Sequence, residues 1–171
     1  MLIHNSERFV VNNEFAKDVE RGLGDKRKHI SPKFFYDKKG SKLFEEICQQ
    51  PEYYLNRTES QILKNSVNEI LKIIGEDEIS LVELGNGNSL KTRILLGPLL
   101  ARLKNVSYFP IDVSLKMLKK SIADLFREYA NLKIYGVCSE YVTGLVKINE
   151  FIKFNKNVPK RKFIIFLGSS I

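Results

Sequence analysis

The chain is poor in the residues that most readily build metal or redox sites. Cys48 and Cys138 are its only cysteines, far apart and without metal-ligand spacing. That excludes a disulfide framework and a zinc site of the usual kind, and both read as packed, weakly polar fillers. The two histidines, His4 and His29, fall in an expected tail and a basic loop, where solvated side chains are the simpler reading. No apolar run approaches the ~18 residues of a membrane span. The start, Met1-Leu2-Ile3-His4-Asn5, lacks a secretory apolar core. A soluble, cytoplasmic protein is expected, without a metal site. Internal repeats and low-complexity segments are also missing.

What is present suits one globular domain: 171 residues, 43% hydrophobic and 28% charged. The formal net charge of +8 comes mainly from lysine, concentrated at 25–29, 38–39, 116–120 and 159–162. Such a balance is compatible with nucleic-acid binding. No RNP sequence or zinc finger accompanies it, and a lysine-rich solvated surface is the commoner meaning of such runs.

The organising stretch runs from Ile79 to Arg102. Ile79-Ser80-Leu81-Val82-Glu83-Leu84 has the length and β-branched content of a buried strand. Gly85-Asn86-Gly87-Asn88-Ser89 then turns into a segment with Leu90, Ile94, Leu95 and Leu99 at helical spacing. Strand, glycine turn and helix begin a Rossmann-like unit, in which Gly85 and Gly87 allow positive φ and close approach of a ligand. The same pattern is also compatible with a β–turn–α connection that holds nothing. The next expected strand, Ser107 to Ile111, ends on Asp112, 27 residues after Gly85. A carboxylate there can accept from both hydroxyls of a ribose. The spacing G-x-G-x-S lacks the third glycine of the dinucleotide fingerprint, and Glu83 precedes the turn. Both favour S-adenosylmethionine over NAD, since the former has no pyrophosphate.

Around that core the pattern predicts a helix over 13–23 with Phe15, Val19 and Leu23 on one stripe, then extended chain around Pro32. Asp37-Lys38-Lys39-Gly40 reads as a turn, with Ser41 capping a helix that buries Leu43, Phe44 and Ile47. Thr58-Glu59-Ser60-Gln61 reads as a capping box opening a long helix with Ile62, Leu63, Val67, Ile70, Leu71 and Ile74, closed by Gly75. Further helices are expected over 115–129 and 142–154, a third strand over 132–137, and a buried strand over 163–167. The third strand leads to Glu140-Tyr141, facing the same crevice as Gly85 and Asp112. A doubly wound domain normally continues beyond a fourth strand, so the chain reads as the front part of something longer.

Several motifs occur together: Ser31-Pro32-Lys33-Phe34-Phe35-Tyr36-Asp37, Gly40-Ser41-Lys42-Leu43-Phe44-Glu45-Glu46-Ile47, Pro51-Glu52-Tyr53-Tyr54, Arg57-Thr58-Glu59, Glu83-Leu84-Gly85, Lys91-Thr92-Arg93, Pro110-Ile111-Asp112-Val113 and Phe166-Leu167-Gly168-Ser169-Ser170-Ile171. In this set and order the chain resembles the histidine-specific, S-adenosylmethionine-dependent methyltransferases of the ergothioneine pathway. The resemblance implies an α/β, Rossmann-like class I methyltransferase fold, incomplete at its C-terminal side. An N-terminal helical segment over 1–57 would contribute to the substrate pocket, and 58–171 would form the partial cofactor domain.

It also implies that Gly85, Lys91 and Asp112 contact S-adenosylmethionine. Glu140 and Tyr141 stand where the family has an Asp-Phe pair beside the adenine, and Asn86 and Asn88 replace its usual serine and threonine. Tyr36 and Tyr53 would line the histidine pocket. An asparagine that grips the amino acid in the family falls beyond residue 171, as do further histidine-binding groups. Catalytic residues stay unassigned. Three functions follow as alternatives: a truncated or partner-dependent methyltransferase acting on the α-amino group of histidine or a similar amino acid, a non-catalytic cofactor-binding remnant, and a nucleic-acid methyltransferase.

Overall fold

The computed structural model describes residues 4–5 and 11–168. The last three residues of the Gly168-Ser169-Ser170-Ile171 motif lie outside them, as do the side chains of residues 4, 5, 11–14 and 38. Among the described residues six parallel strands form one sheet: β1 (His4–Asn5), β2 (Ile79–Leu84), β3 (Val106–Asp112), β4 (Lys133–Ile134), β5 (Val137–Cys138) and β6 (Lys162–Ile165). The order is β1-β5-β3-β2-β6, with β4 also pairing with β3. Helices α1 (Val11–Gly24), α2 (Lys38–Ile47), α3 (Leu55–Ile74), α4 (Thr92–Arg102), α5 (Leu115–Glu128) and α6 (Tyr141–Phe154) surround it. Parallel strands alternating with helices make this a Rossmann-like α/β fold.

The core divides by strand alternation. Ile79 and Leu81 of β2 and Tyr108 of β3 face Leu63 and Leu71 of α3, Leu95 and Leu99 of α4, and Leu118, Ile122 and Leu125 of α5. Val82, Phe109 and Ile111 face the other way, against Ile148 and Ile152 of α6. Burial on both faces is why β2 and β3 read as continuous apolar runs. Each fully buried leucine or isoleucine contributes roughly 1.5–3 kcal/mol, so these two layers dominate stability.

Outside the centre, several local expectations are corrected. Pro32–Phe35 forms a 3₁₀ turn rather than extended chain, since Pro at the first position costs no hydrogen bond there. Helix α2 starts at Lys38, and Asp37 rather than Ser41 is the cap: its carboxylate accepts from the backbone N–H of Lys39 and Gly40. Gly40 is needed because a Cβ there would lie 1.7 Å from the Phe35 carbonyl oxygen. Leu43, Ile47 and Ile62 are solvent-exposed instead of buried, as is Leu23. Phe15 is partly exposed and meets Phe34 edge-on at 4.9 Å.

The expected capping box is inside α3, which begins at Leu55, and the Ser60 hydroxyl donates back to the Asn56 carbonyl. Arg57 organises that helix start by donating to the carbonyls of Gln50 and Pro51. α3 is continuous across position 57, and Gly75 closes it with φ 79°.

The third strand is two short pieces, β4 and β5. Tyr135 still donates its N–H to the Tyr108 carbonyl, but Gly136 packs so tightly on α5 that a Cβ would sit 2.4 Å from Ile122 Cδ1. β6 is shorter than expected and lies at the end of the sheet with Ile164 49% exposed, not fully buried. Phe166 and Leu167 leave the sheet at its carboxyl edge and approach the crevice described next.

Candidate functional site

Where β2 and β3 end, the chain turns sharply and opens a cavity of about 740 Å³. Gly85 has φ 69° and Gly87 φ 49°, both in the left-handed region that favours glycine. Gly85 is constrained twice, because a Cβ on it would lie 2.7 Å from the Tyr141 hydroxyl. The turn is tied down from below. Backbone N–H groups of Gly85 and Asn86 donate to the Ile111 carbonyl, at 2.9 and 3.2 Å. The Asn86 amide nitrogen donates to the hydroxyls of Ser89 and Ser121, each at 2.7 Å, fastening the turn to α5. Ser89 itself has φ 57°, which redirects the chain and leaves the preceding-helix residue Leu90 63% exposed rather than on the buried stripe.

Asp112 closes the far side. Its Oδ2 accepts from Gly87 N–H at 3.0 Å and its Oδ1 from Ser114 N–H at 2.8 Å. Burial raises its pKa, and those two N–H bonds act in the opposite direction. Each carboxylate oxygen keeps a free lone pair, so the group can still accept from a diol.

Under the turn, Glu83 is 2% exposed. Thr92 Oγ1 lies 2.6 and 2.7 Å from its two oxygens, and the Tyr108 hydroxyl donates to Oε2. Burial lifts its pKa to about 7 despite those two donors, with Lys91 lowering it slightly and Asp112 raising it. Burial and the Glu83 charge together raise the Tyr108 phenol well above its usual value. Glu83 thus joins β2, β3 and the first turn of α4 through one buried carboxyl.

Seven of the eight residues singled out from the sequence line this one cavity: Gly85, Gly87, Lys91, Asp112, Tyr141, Tyr36 and Tyr53. Glu140 does not. Its carboxylate turns outward to the Lys33 ammonium, 2.6 Å away. Lys91 occupies the position just before α4 and its ammonium pairs with Glu59 Oε2 at 2.6 Å. Phe44 also lines the cavity and lies edge-on between Tyr36 and Tyr53, with ring centroids 5.8 and 6.2 Å away. His29 is exposed and remote, beside Asp25 and the Arg27 carbonyl.

Sequence reasoning gave no site role to Glu59, Phe44 or Ser114. Glu59 was legible only as part of Arg57-Thr58-Glu59, and its lysine partner stands 32 positions away, beyond any local pattern. Among the described residues, no group of three or more His, Cys, Asp or Glu is placed to hold a metal ion, and no helix is long and apolar enough to cross a membrane.

Comparison with known proteins bears on the same region. A family model described as histidine-specific methyltransferase, SAM-dependent, matches residues 15–171. The histidine N-alpha-methyltransferase of Mycolicibacterium smegmatis is 39% identical over 155 residues, covering 91% of this chain and 45% of that protein. Its counterpart from Mycobacterium tuberculosis is 37% identical over 157 residues, with the same two coverages of 91% and 45%. Ergothioneine biosynthesis protein 1 of Neurospora crassa is 33% identical over 136 residues, 80% of this chain and 15% of that protein. The chain therefore spans less than half the length of these curated relatives.

Proposed function

The chain belongs to the histidine-specific, S-adenosylmethionine-dependent methyltransferase family, and from that premise we propose that its crevice binds S-adenosylmethionine for methylation of the α-amino group of histidine or a similar amino acid. The observation that carries this is Asp112, held by two backbone N–H groups opposite the Gly85 turn in a cavity with room for a nucleoside. The residues present fit the group. Gly85 leaves the backbone bare, Asp112 retains acceptor capacity for the sugar, and Lys91 brings an ammonium to the rim. When bound, S-adenosylmethionine supplies a sulfonium methyl that an uncharged amine can attack in line.

The protein's own part is placement. Tyr36 and Tyr53, spaced by Phe44, form an aromatic group lining the same cavity as Gly85 and Asp112. Such a group can hold an amino acid with its nitrogen toward the cofactor half. Fixing two reactants in register supplies several kcal/mol of a transfer barrier, which reduces the need for a strong dedicated base. A cytoplasmic setting accords with this chemistry.

A second reading is cofactor binding without turnover by this stretch on its own, which spans 45% of the length of the Mycolicibacterium smegmatis histidine N-alpha-methyltransferase. In that case further residues of the same protein, or a second polypeptide, would complete the amino acid site. Calorimetry of the purified chain with S-adenosylhomocysteine should detect binding, and Asp112→Ala should weaken it by about 10-fold or more, the loss of charge-assisted hydrogen bonds worth roughly 1.5–3 kcal/mol. Incubation with labelled S-adenosylmethionine and histidine then separates the two readings by the presence of methylhistidine. Absence of any binding heat, or an Asp112→Ala variant with the affinity of the parent, refutes both.

A further inference from the structure

Resting on the reading above, we infer that Glu83, from beneath the Gly85 turn, distinguishes the sulfonium cofactor from its uncharged, demethylated product. Its carboxyl gives a proton to solvent when a cation is held above it, and keeps that proton when a neutral thioether takes the same place. The charge balances, because one positive charge enters the crevice on sulfur and one leaves it as the proton.

The geometry calls for a proton on Glu83 in the free chain. The residue stands two positions before Gly85 on β2 and is 2% exposed. Three short oxygen–oxygen contacts surround its carboxyl: Thr92 Oγ1 at 2.6 Å from Oε1 and 2.7 Å from Oε2, and the Tyr108 hydroxyl on Oε2. The two hydroxyls bring two protons, so a third, on Glu83 itself, gives every contact its own donor. A folded pKa of about 7, set mainly by burial, agrees with this and puts the release within reach at neutral pH.

The surroundings make the carboxyl responsive to charge in the cavity. β3 presents Tyr108 and Asp112 to it, the start of α4 presents Lys91, and β6 sets the apolar Ile165 opposite it. The Lys91 ammonium already has a carboxylate of its own, Glu59 of α3 at 2.6 Å. Lys91 and Asp112 both line the cavity, and the charge of each acts on Glu83, the first easing its ionisation and the second opposing it. A cation bound between them acts over comparable distances. At an effective dielectric of ~20, a unit charge ~10 Å away makes ionisation about tenfold easier.

S-adenosylmethionine and S-adenosylhomocysteine share their adenosine and amino acid groups, so the contrast between them isolates the charge on sulfur. Titration calorimetry of the parent chain near pH 6.5, in phosphate and in imidazole buffer, counts the protons released with each ligand. The sulfonium should release about 0.3–0.5 proton more than the thioether. From pH 6 to 8 its Kd should fall about 5-fold relative to that of S-adenosylhomocysteine. Glu83→Gln should abolish both differences while still binding S-adenosylhomocysteine.

Equal proton release with the two ligands overturns the inference. So does a difference that survives in Glu83→Gln, which leaves that residue a structural role only. Should the glutamine variant not fold, Tyr108→Phe decides: it removes a bond that favours the anion, so the pH at which the two ligands diverge should move upward, and an unmoved value overturns the inference. If the parent chain binds neither ligand, the cofactor reading itself fails and the inference with it. If it binds both with the same number of protons, only the role of Glu83 falls.

Discussion

Replacing Glu83 by glutamine should flatten the pH dependence of stability. The carboxyl is 2% exposed and its pKa in the folded chain is about 7, against an ordinary value of 4.5. A raised carboxyl pKa means that the folded state holds a proton which the unfolded chain has released. Its contribution to stability is therefore fully present below pH 4.5 and is lost as pH rises through about 7. A shift of this size corresponds to about 3 kcal/mol in the limit, at 1.36 kcal/mol per pH unit. Of that, between about 2 and 3 kcal/mol falls in the window from pH 5 to 8.

Glutamine fits the same site. Its amide oxygen can accept from the Tyr108 hydroxyl and its amide nitrogen can donate to Thr92 Oγ1, but it does not titrate. The assay is urea unfolding of parent and Glu83→Gln at several pH values from 5 to 8.5. The stability of the parent minus that of the variant should decline by about 2–3 kcal/mol across the range. Asp112 and Cys138 also have raised pKa values, and they cancel in the difference because both proteins contain them. A difference that stays constant with pH refutes the reasoning, and one that grows with pH would mean that Glu83 is held as a stabilised anion.

Two further outcomes follow from the packing. Asp37→Ala should cost about 1 kcal/mol in chemical unfolding, because two backbone N–H groups at the start of α2 lose their acceptor. Leu118→Ala, on the α5 face wholly buried against the sheet, should cost roughly 2–5 kcal/mol and lower the thermal midpoint by many degrees.

How much was legible in the sequence depended on how local the cause was. The β2–turn–α4–β3 unit, the positive-φ glycines and Asp112 at the strand end could be read because strand length, helical period and glycine all act within a few residues. The chemistry expected at Gly85, Lys91, Asp112, Tyr36 and Tyr53 drew on the family motifs as much as on those patterns. What escaped was non-local. β1 consists of two residues that pair with β5 more than 130 positions later, with His4 opposite Val137. The Thr58-Glu59-Ser60-Gln61 signal was overridden because Arg57 ties the start of α3 to the carbonyls of Gln50 and Pro51. Glu140 looked like a crevice carboxylate until Lys33, 107 positions away, drew it outward.

Asp112 gathers the N–H groups of Gly87 and Ser114 on its two oxygens before any ligand is present. The left-handed turn is thereby held in place by the protein's own bonds, and on the proposed reading an incoming nucleoside would meet a socket that it does not have to organise. Ordering entropy already met in this way leaves a larger part of the contact energy to appear as affinity.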